Sequence, residues 1–252
     1  MSYVRLVDHM GNDSSIVQAA RVSYGDGTKT VNEDRQLIRY LMRHAHTTPF
    51  EMVDFKFHVK APIFVARQWL RHRTASVNEL SARYSIVRDE YWTPDEYRKQ
   101  SIVNKQCSDE NSNFIDEDAL KSQKHSCDLA FDVYEGLLER GVSREMARAH
   151  LPLSTMTEFY WKINLHNLFH FLHLRMDSHA QKEIRDLAHD IFDLIRPIVP
   201  VACEAFVDYK INAITITGPE GQALRTGSTD HLSKGEKAEF EIKRNLLGIH
   251  RE

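Results

Sequence analysis

The chain has 252 residues, 42% of them apolar and 27% charged, with a formal net charge of −3. Such a length can bury a sizeable core as one large domain, or as one domain with an extension. The composition is that of a soluble globular protein. The slight acidity excludes the whole molecule as an electrostatic trap for nucleic acid, so any anion site must be local.

The opening MSYVRLVDHMG lacks an apolar signal core, and no apolar span of membrane length follows. Cys107, Cys127 and Cys203 lie far apart and form no CxxC motif. That pattern argues for a reducing compartment, and a cytoplasmic protein without membrane or nucleic-acid partners is expected. Val4 to Asp8 predicts a first strand. Asp13, Ser14 and Ser15 offer a cap for a helix over Ile16 to Ser23. Asn32 is placed to cap a second helix, with Leu37, Ile38, Leu41, Met42 and Ala45 on its apolar face. A short polar turn, His44 to Glu51, follows. Val53, Phe55, Phe57 and Val59 then alternate with Asp54, Lys56, His58 and Lys60, the pattern of a half-buried strand.

Pro62 opens an apolar helix, Ile63-Phe64-Val65-Ala66, as proline often does just inside a helix start. Arg67, Leu70, Arg71 and Thr74 continue it on one face, leading into a polar loop. Arg67, Arg71, Arg73, Arg83 and Arg88 crowd this stretch, mixed with Gln68, His72, Ser76, Asn78, Glu79, Ser81 and Tyr84. A charge run is usually a solvated surface. Arginines interleaved with directional polar groups beside a buried segment predict an anion site, because guanidinium suits bidentate phosphate binding.

Residues 99–126 read as a polar surface insertion. A long helix, roughly Asp118 to Arg140, ends at Gly141. Ser143 caps a helix holding Arg144, Arg148 and Leu151, stopped by Pro152. Thr155 to Ile163 reads as a strand. His166, His170 and His173 then share one helix face, a spacing open to metal binding, although no carboxylate matches it before Asp177. Asp177 or Ser178 caps a last core helix with Ile184, Leu187, Ile191, Leu194, Ile195 and Ile198 on one side. Gly218-Pro219-Glu220-Gly221 reads as a turn and a boundary. Ser233 and Glu236 form a capping box that opens a helix to Leu247, with Gly248 beyond.

Arg71-His72-Arg73, seven intervening residues and Ser81 resemble the signature of flavin-dependent thymidylate synthases. The pattern is long and chemically mixed, so its specificity is high. The HxTPFE turn at His46 to Glu51, the stretch GVSREMARAHLPL and NLHNLFHFLHLRMDSHAQ extend the resemblance over most of residues 3–210. It implies FAD contacts from Thr48, Arg71, His72, Arg73, Glu79, Asn164, His166 and His170, with His46 near the flavin ring. It implies dUMP contacts from Gln68, Arg71, Glu79, Ser81, Arg83 and Arg148, the last from a neighbouring subunit. Arg175 is the implied catalytic group, facing the uracil ring. His46 and Tyr84 are open as contacts of the folate.

The chemistry is consistent with that resemblance. No cysteine has the electropositive, partly exposed setting that a nucleophile needs. Ser81 has no adjacent base. A flavin can carry the hydride while the protein binds, orients and polarises, and Arg175 would stabilise charge developing on the uracil. There is no GxGxxG motif, so the flavin is not held in Rossmann fashion. The expected fold is α+β: a single domain, residues 1–217, with a mixed or antiparallel sheet and long helices of the thymidylate synthase-complementing type. Residues 218–252 are expected to be an extension with one helix. The resemblance implies methylation of dUMP to dTMP with FAD, methylenetetrahydrofolate and NADPH, no metal, and a homotetramer with shared active sites. Two other readings stay open: a metal-dependent nucleotide hydrolase using His166, His170, His173 and His179, and a non-catalytic nucleotide-binding regulator using the same arginines.

Overall fold

The computed structural model describes residues 1–22, 31–102 and 108–249. It divides into two compact units, Met1–Phe206 and Val207–Glu252. The first is organised on a four-stranded sheet of β1 (Tyr3–Met10), β2 (Asp54–Pro62), β3 (Ser76–Glu79) and β6 (Met156–Asn164). Their order across the sheet is β1-β2-β6-β3, and every pairing is antiparallel. The alternation read in β2 is realised: Val53, Phe55, Phe57, Val59 and Ala61 are fully buried on one face.

Among the described residues, the helices of this unit are α1 (Asp13–Arg21), α2 (Val31–Arg43), α3 (Ile63–Trp69), α4 (Glu117–Glu139), α5 (Arg144–Ala147), α6 (Leu165–Arg175), α7 (Lys182–Ile195) and α8 (Pro200–Phe206). Helices α3 and α6 pack on the buried face of the sheet, and α7 packs on β1. The core beneath them is aromatic. Trp69 lies edge-on to Trp161 at 5.2 Å between ring centroids, and Phe171 of α6 sits 4.9 Å from Trp161. Edge-to-face and tilted packing of this kind adds to the burial of large apolar rings.

Several boundaries differ from the sequence reading. Asn12, not Asp13 to Ser15, caps α1, and Ser15 completes the capping box. Gly11 before it has φ +81°, and a Cβ there would meet Ser15 Oγ at 2.9 Å, so glycine is required. Ser23 lies outside the described residues, and Asn32 is inside α2, which already runs from Val31. Ala45 leaves the apolar face: it has φ 54°, just after the helix end. Pro62 is the N-cap of α3, not its first residue, and α3 stops at Trp69. Arg71 and Thr74 therefore lie beyond the helix. The N–H groups of Arg71 and His72 bond to the Gln68 and Trp69 carbonyls in a closing turn, and the following "loop" contributes Ser76–Glu79 as the edge strand β3. Its side chains are exposed, so no alternation marks it.

The polar stretch read as a surface insertion, residues 99–126, holds regular structure among its described residues. β4 (Tyr97–Gln100) and β5 (Ser108–Phe114) form an antiparallel ribbon. Asp116 caps α4, and Gly141 follows its C-cap with φ +81°, as expected of a left-handed C′ glycine. Arg144, expected in one helix with Arg148 and Leu151, sits in the short α5, and a 3-10 turn carries Arg148–His150. Gln181, rather than Asp177 or Ser178, precedes α7. The second unit holds α9 (Gly218–Thr226) and α10 (Lys234–Leu246). The glycine-proline "turn" is the first turn of α9, capped by Thr217 with Glu220. Ser233 and Glu236 form the predicted box on α10. Among the described residues, no helix is long and apolar enough to cross a membrane.

Candidate active site

The arginine-rich stretch leaves the buried end of α3 and crosses to the sheet edge at β3. Trp69 anchors it at one end, and pairing of β3 with β6 anchors it at the other. The segment between is thus held at both ends. Arg71 and Arg73 are exposed, and neither guanidinium has a hydrogen-bond or ion-pair partner among the described residues. His72, between them, turns inward. Its ring packs edge-on against Phe171 at 4.9 Å and lies 6.2 Å from His170.

Arg175 is the last residue of α6. Its Nε donates to Nε2 of His72 at 3.0 Å. Burial holds the Arg175 pKa below its ordinary value. His72 is lowered from 6.5 to about 4, first by burial and then by the positive charge of Arg175 and by His170. His72 is therefore a neutral acceptor at neutral pH. Among the described residues, the terminal nitrogens of Arg175 have no protein partner.

A second set of predicted residues, spread over α3, β3, β6 and α6, has partners of its own. Gln68 Nε2 donates to Oε1 of Gln181, the residue before α7. Glu79, at the end of β3, accepts from the Thr157 hydroxyl at 2.7 Å. Asn164 caps α6, accepting from the backbone N–H of Asn167 at 3.0 Å, so its side-chain oxygen has a structural partner. His166 and His170 lie one turn apart on α6, His170 on the exposed side and His166 half-buried.

A third group lies against the C-terminal end of α4. Ser81 Oγ accepts from the Arg83 N–H at 3.3 Å, and Arg83 pairs with Glu145 at 3.2 Å. Arg144 donates to the Tyr84 carbonyl at 2.9 Å. Arg83, Tyr84, Arg144 and Glu145 line a cleft of about 520 Å³. Arg148 is exposed, with no partner among the described residues. A fourth group, His46, Thr48, Tyr40 and Met52, lines a larger cleft of about 1050 Å³. Phe50 of the same 3-10 turn packs on Phe169 of α6, with ring centroids 6.4 Å apart.

Gln181 and Thr157 are absent from the sequence reading. Thr157 carries a usable signal: a polar residue on the core face of a strand needs a partner, and the register places Glu79 diagonally across the pairing of β3 with β6. Gln181 carries none, since its contact with Gln68 depends on helix placement. The histidines of α6 do not assemble a metal site: among the described residues, no cluster of three or more His, Cys, Asp or Glu could hold an ion.

Two exposed guanidiniums without partners among the described residues and a half-buried arginine at the end of α6 make a candidate anion site in an α+β protein without a Rossmann motif. The family model for thymidylate synthase complementing proteins matches residues 5–201. A flavin-dependent thymidylate synthase from Dictyostelium discoideum is 57% identical, over 93% of this chain and 78% of that protein. One from Thermus thermophilus is 57% identical, over 88% and 82%. The crystal structure of a UMP/dUMP methylase, PolB from Streptomyces cacaoi bound with 5-Br dUMP, has a TM-score of 0.76 at 36% identity, covering 83% of this chain and 96% of that one. The chain belongs to the thymidylate synthase complementing family, the flavin-dependent thymidylate synthases.

The residues present fit a flavin dinucleotide. Phosphates need charged donors, and Arg71 and Arg73 offer two that nothing among the described residues satisfies. A flavin ring edge needs hydrogen-bond donors and acceptors, which the imidazoles of His72, His166 and His170 can supply.

Proposed function

We propose that this chain converts dUMP to dTMP, with methylenetetrahydrofolate as carbon donor and NADPH as reductant through FAD. The observation that carries the reading is the Arg175–His72 pair: a guanidinium fixed in direction, uncancelled in charge, and free at its terminal nitrogens among the described residues. Bound FAD supplies the hydride that the one-carbon unit needs to become a methyl group.

The residues divide the remaining work. Arg175 is the catalytic group, holding the uracil imide and stabilising negative charge as the ring carbon becomes nucleophilic. Arg71 and Arg73 bind the cofactor phosphates. Thr48, His72, Glu79, Asn164, His166 and His170 orient the flavin. Gln68, Arg71, Glu79, Ser81, Arg83 and Arg148 bind dUMP. Within one chain these residues fall into four groups, which supports a homotetramer whose sites combine groups from different subunits. Cys127 and Cys203 are buried and free, which suits a reducing compartment and supports a cytoplasmic location. Residues 218–252 are a C-terminal extension to the catalytic domain.

Arg73→Ala tests the cofactor assignment. The flavin-to-protein ratio after gel filtration should fall while the fold is unchanged, because a charge-assisted bond to phosphate is lost. An unchanged ratio would remove Arg73 from the cofactor site.

A further inference from the structure

We infer that His72 is a positioning residue for Arg175, orienting the guanidinium through a neutral acceptor so that its charge stays available to the ligand. The inference rests on the assignment of Arg175 to the uracil. Three observations carry it. The Nε–H of Arg175 is consumed by His72 Nε2 at 3.0 Å, which fixes the plane of the guanidinium. The His72 ring is itself held edge-on by Phe171. The four N–H groups at the far end of Arg175 find no acceptor among the described residues.

The choice of acceptor matters. A carboxylate at this position would orient the guanidinium equally well and would cancel its charge. An imidazole accepts the hydrogen bond and remains neutral. The basic groups facing it from α6, Arg175 and His170, both disfavour its protonation. The pair thus delivers a directed, undischarged cation, the form that stabilises developing negative charge best. Accepting through Nε2 also assigns the tautomer of the neutral ring: the proton sits on Nδ1.

Three substitutions separate this role from simple packing. His72→Gln keeps a neutral acceptor, His72→Glu keeps an acceptor but adds charge, and His72→Phe keeps the ring contact but removes the acceptor. With the full-length enzyme, single-turnover dTMP formation is compared with flavin reduction by NADPH, and Tm and flavin content are recorded. His72→Gln also loses the imidazole assigned to the flavin, so flavin content should fall, but the ratio of dTMP formation to flavin reduction should stay within a fewfold of the wild-type ratio. His72→Glu and His72→Phe should each slow dTMP formation by on the order of ten- to a hundred-fold relative to flavin reduction. A readout independent of turnover is the ¹⁵N spectrum of histidine-labelled protein. His72 should show an Nδ1–H tautomer, and Arg175→Ala should raise its pKa.

If His72→Glu forms dTMP as well as His72→Gln does, orientation without discharge is not the role of His72. An Nε2–H tautomer in wild type would overturn the inference directly, even if a substitution fails to fold. Arg175→Ala separates the two ideas: normal dTMP formation in that variant refutes the underlying assignment of Arg175. Loss there with none in His72→Glu or His72→Phe refutes only the His72 role.

Discussion

Arg175 Nε and His72 Nε2 lie 3.0 Å apart although the residues are 103 positions apart in sequence. The contact joins the end of α6 to the turn after α3, and packing of the His72 ring on Phe171 holds the acceptor in place. A surface arginine would cap the helix dipole for only about 0.3–1 kcal/mol, and lysine would serve nearly as well. Here the planar fork is used, so Arg175→Lys keeps charge and loses direction. Arg175→Lys and Arg175→Ala should bind FAD and melt near wild type. Both should lose roughly a hundred- to a thousand-fold in dTMP formation while flavin reduction by NADPH survives. Stopped-flow reduction set against quenched-flow product formation checks it.

The same pair makes stability depend on pH. The folded protein holds His72 neutral down to about pH 4, whereas an unfolded histidine takes up its proton near 6.5. Between these values the unfolded state binds more protons, so falling pH favours unfolding. The contribution is complete above about pH 6.5 and is lost progressively towards pH 4. Melting temperatures from neutral pH down towards that lower limit should fall less steeply for His72→Gln than for wild type. Equal slopes would show that His72 does not titrate as described.

Ala45 has φ 54°, the left-handed conformation that costs an L-residue about 1–2 kcal/mol. It is held there by the closing bond from the His46 N–H to the Leu41 carbonyl at 3.0 Å. Ala45→Gly should remove that strain, less about 0.5–1 kcal/mol for the greater freedom of unfolded glycine. A modest rise in Tm is expected, of roughly 2 °C. A fall in Tm would mean that the helix end relaxes by another route.

Neither described cysteine is suited to attack a uracil. Cys127 and Cys203 are buried and free, and burial together with Asp13 pushes the Cys203 thiol up to about 12. A thiolate is needed for nucleophilic attack. Cys127→Ala, Cys203→Ala and Cys107→Ser should each form dTMP at near wild-type rates. Loss of turnover in a well-folded variant would point to a cysteine nucleophile.

What is legible in the sequence follows from range. β2 and α10 can be read because strand alternation and a capping box are local. α6 is legible because its apolar residues recur at helical spacing. β3 is not, because an exposed edge strand has no alternation to display. α3 reads too long because Arg67 and Arg71 keep helical spacing, while beyond Trp69 the backbone N–H groups of Arg71 and His72 bond to carbonyls three residues back, those of Gln68 and Trp69, and the helix gives way to a turn. The motif residues can be chosen from their chemistry, but Gln68 with Gln181, Glu79 with Thr157 and His72 with Arg175 are tertiary pairings. Nothing at Gln68 or His72 signals its partner, and only the buried hydroxyl of Thr157 asks for one.

The most direct test is an anaerobic assay of the purified, flavin-loaded protein with dUMP, methylenetetrahydrofolate and NADPH. The predicted result is dTMP and tetrahydrofolate in equal amounts, with NADPH consumed and no product when FAD is removed. Formation of dTMP without FAD, or none with every component present, would contradict the proposed reaction.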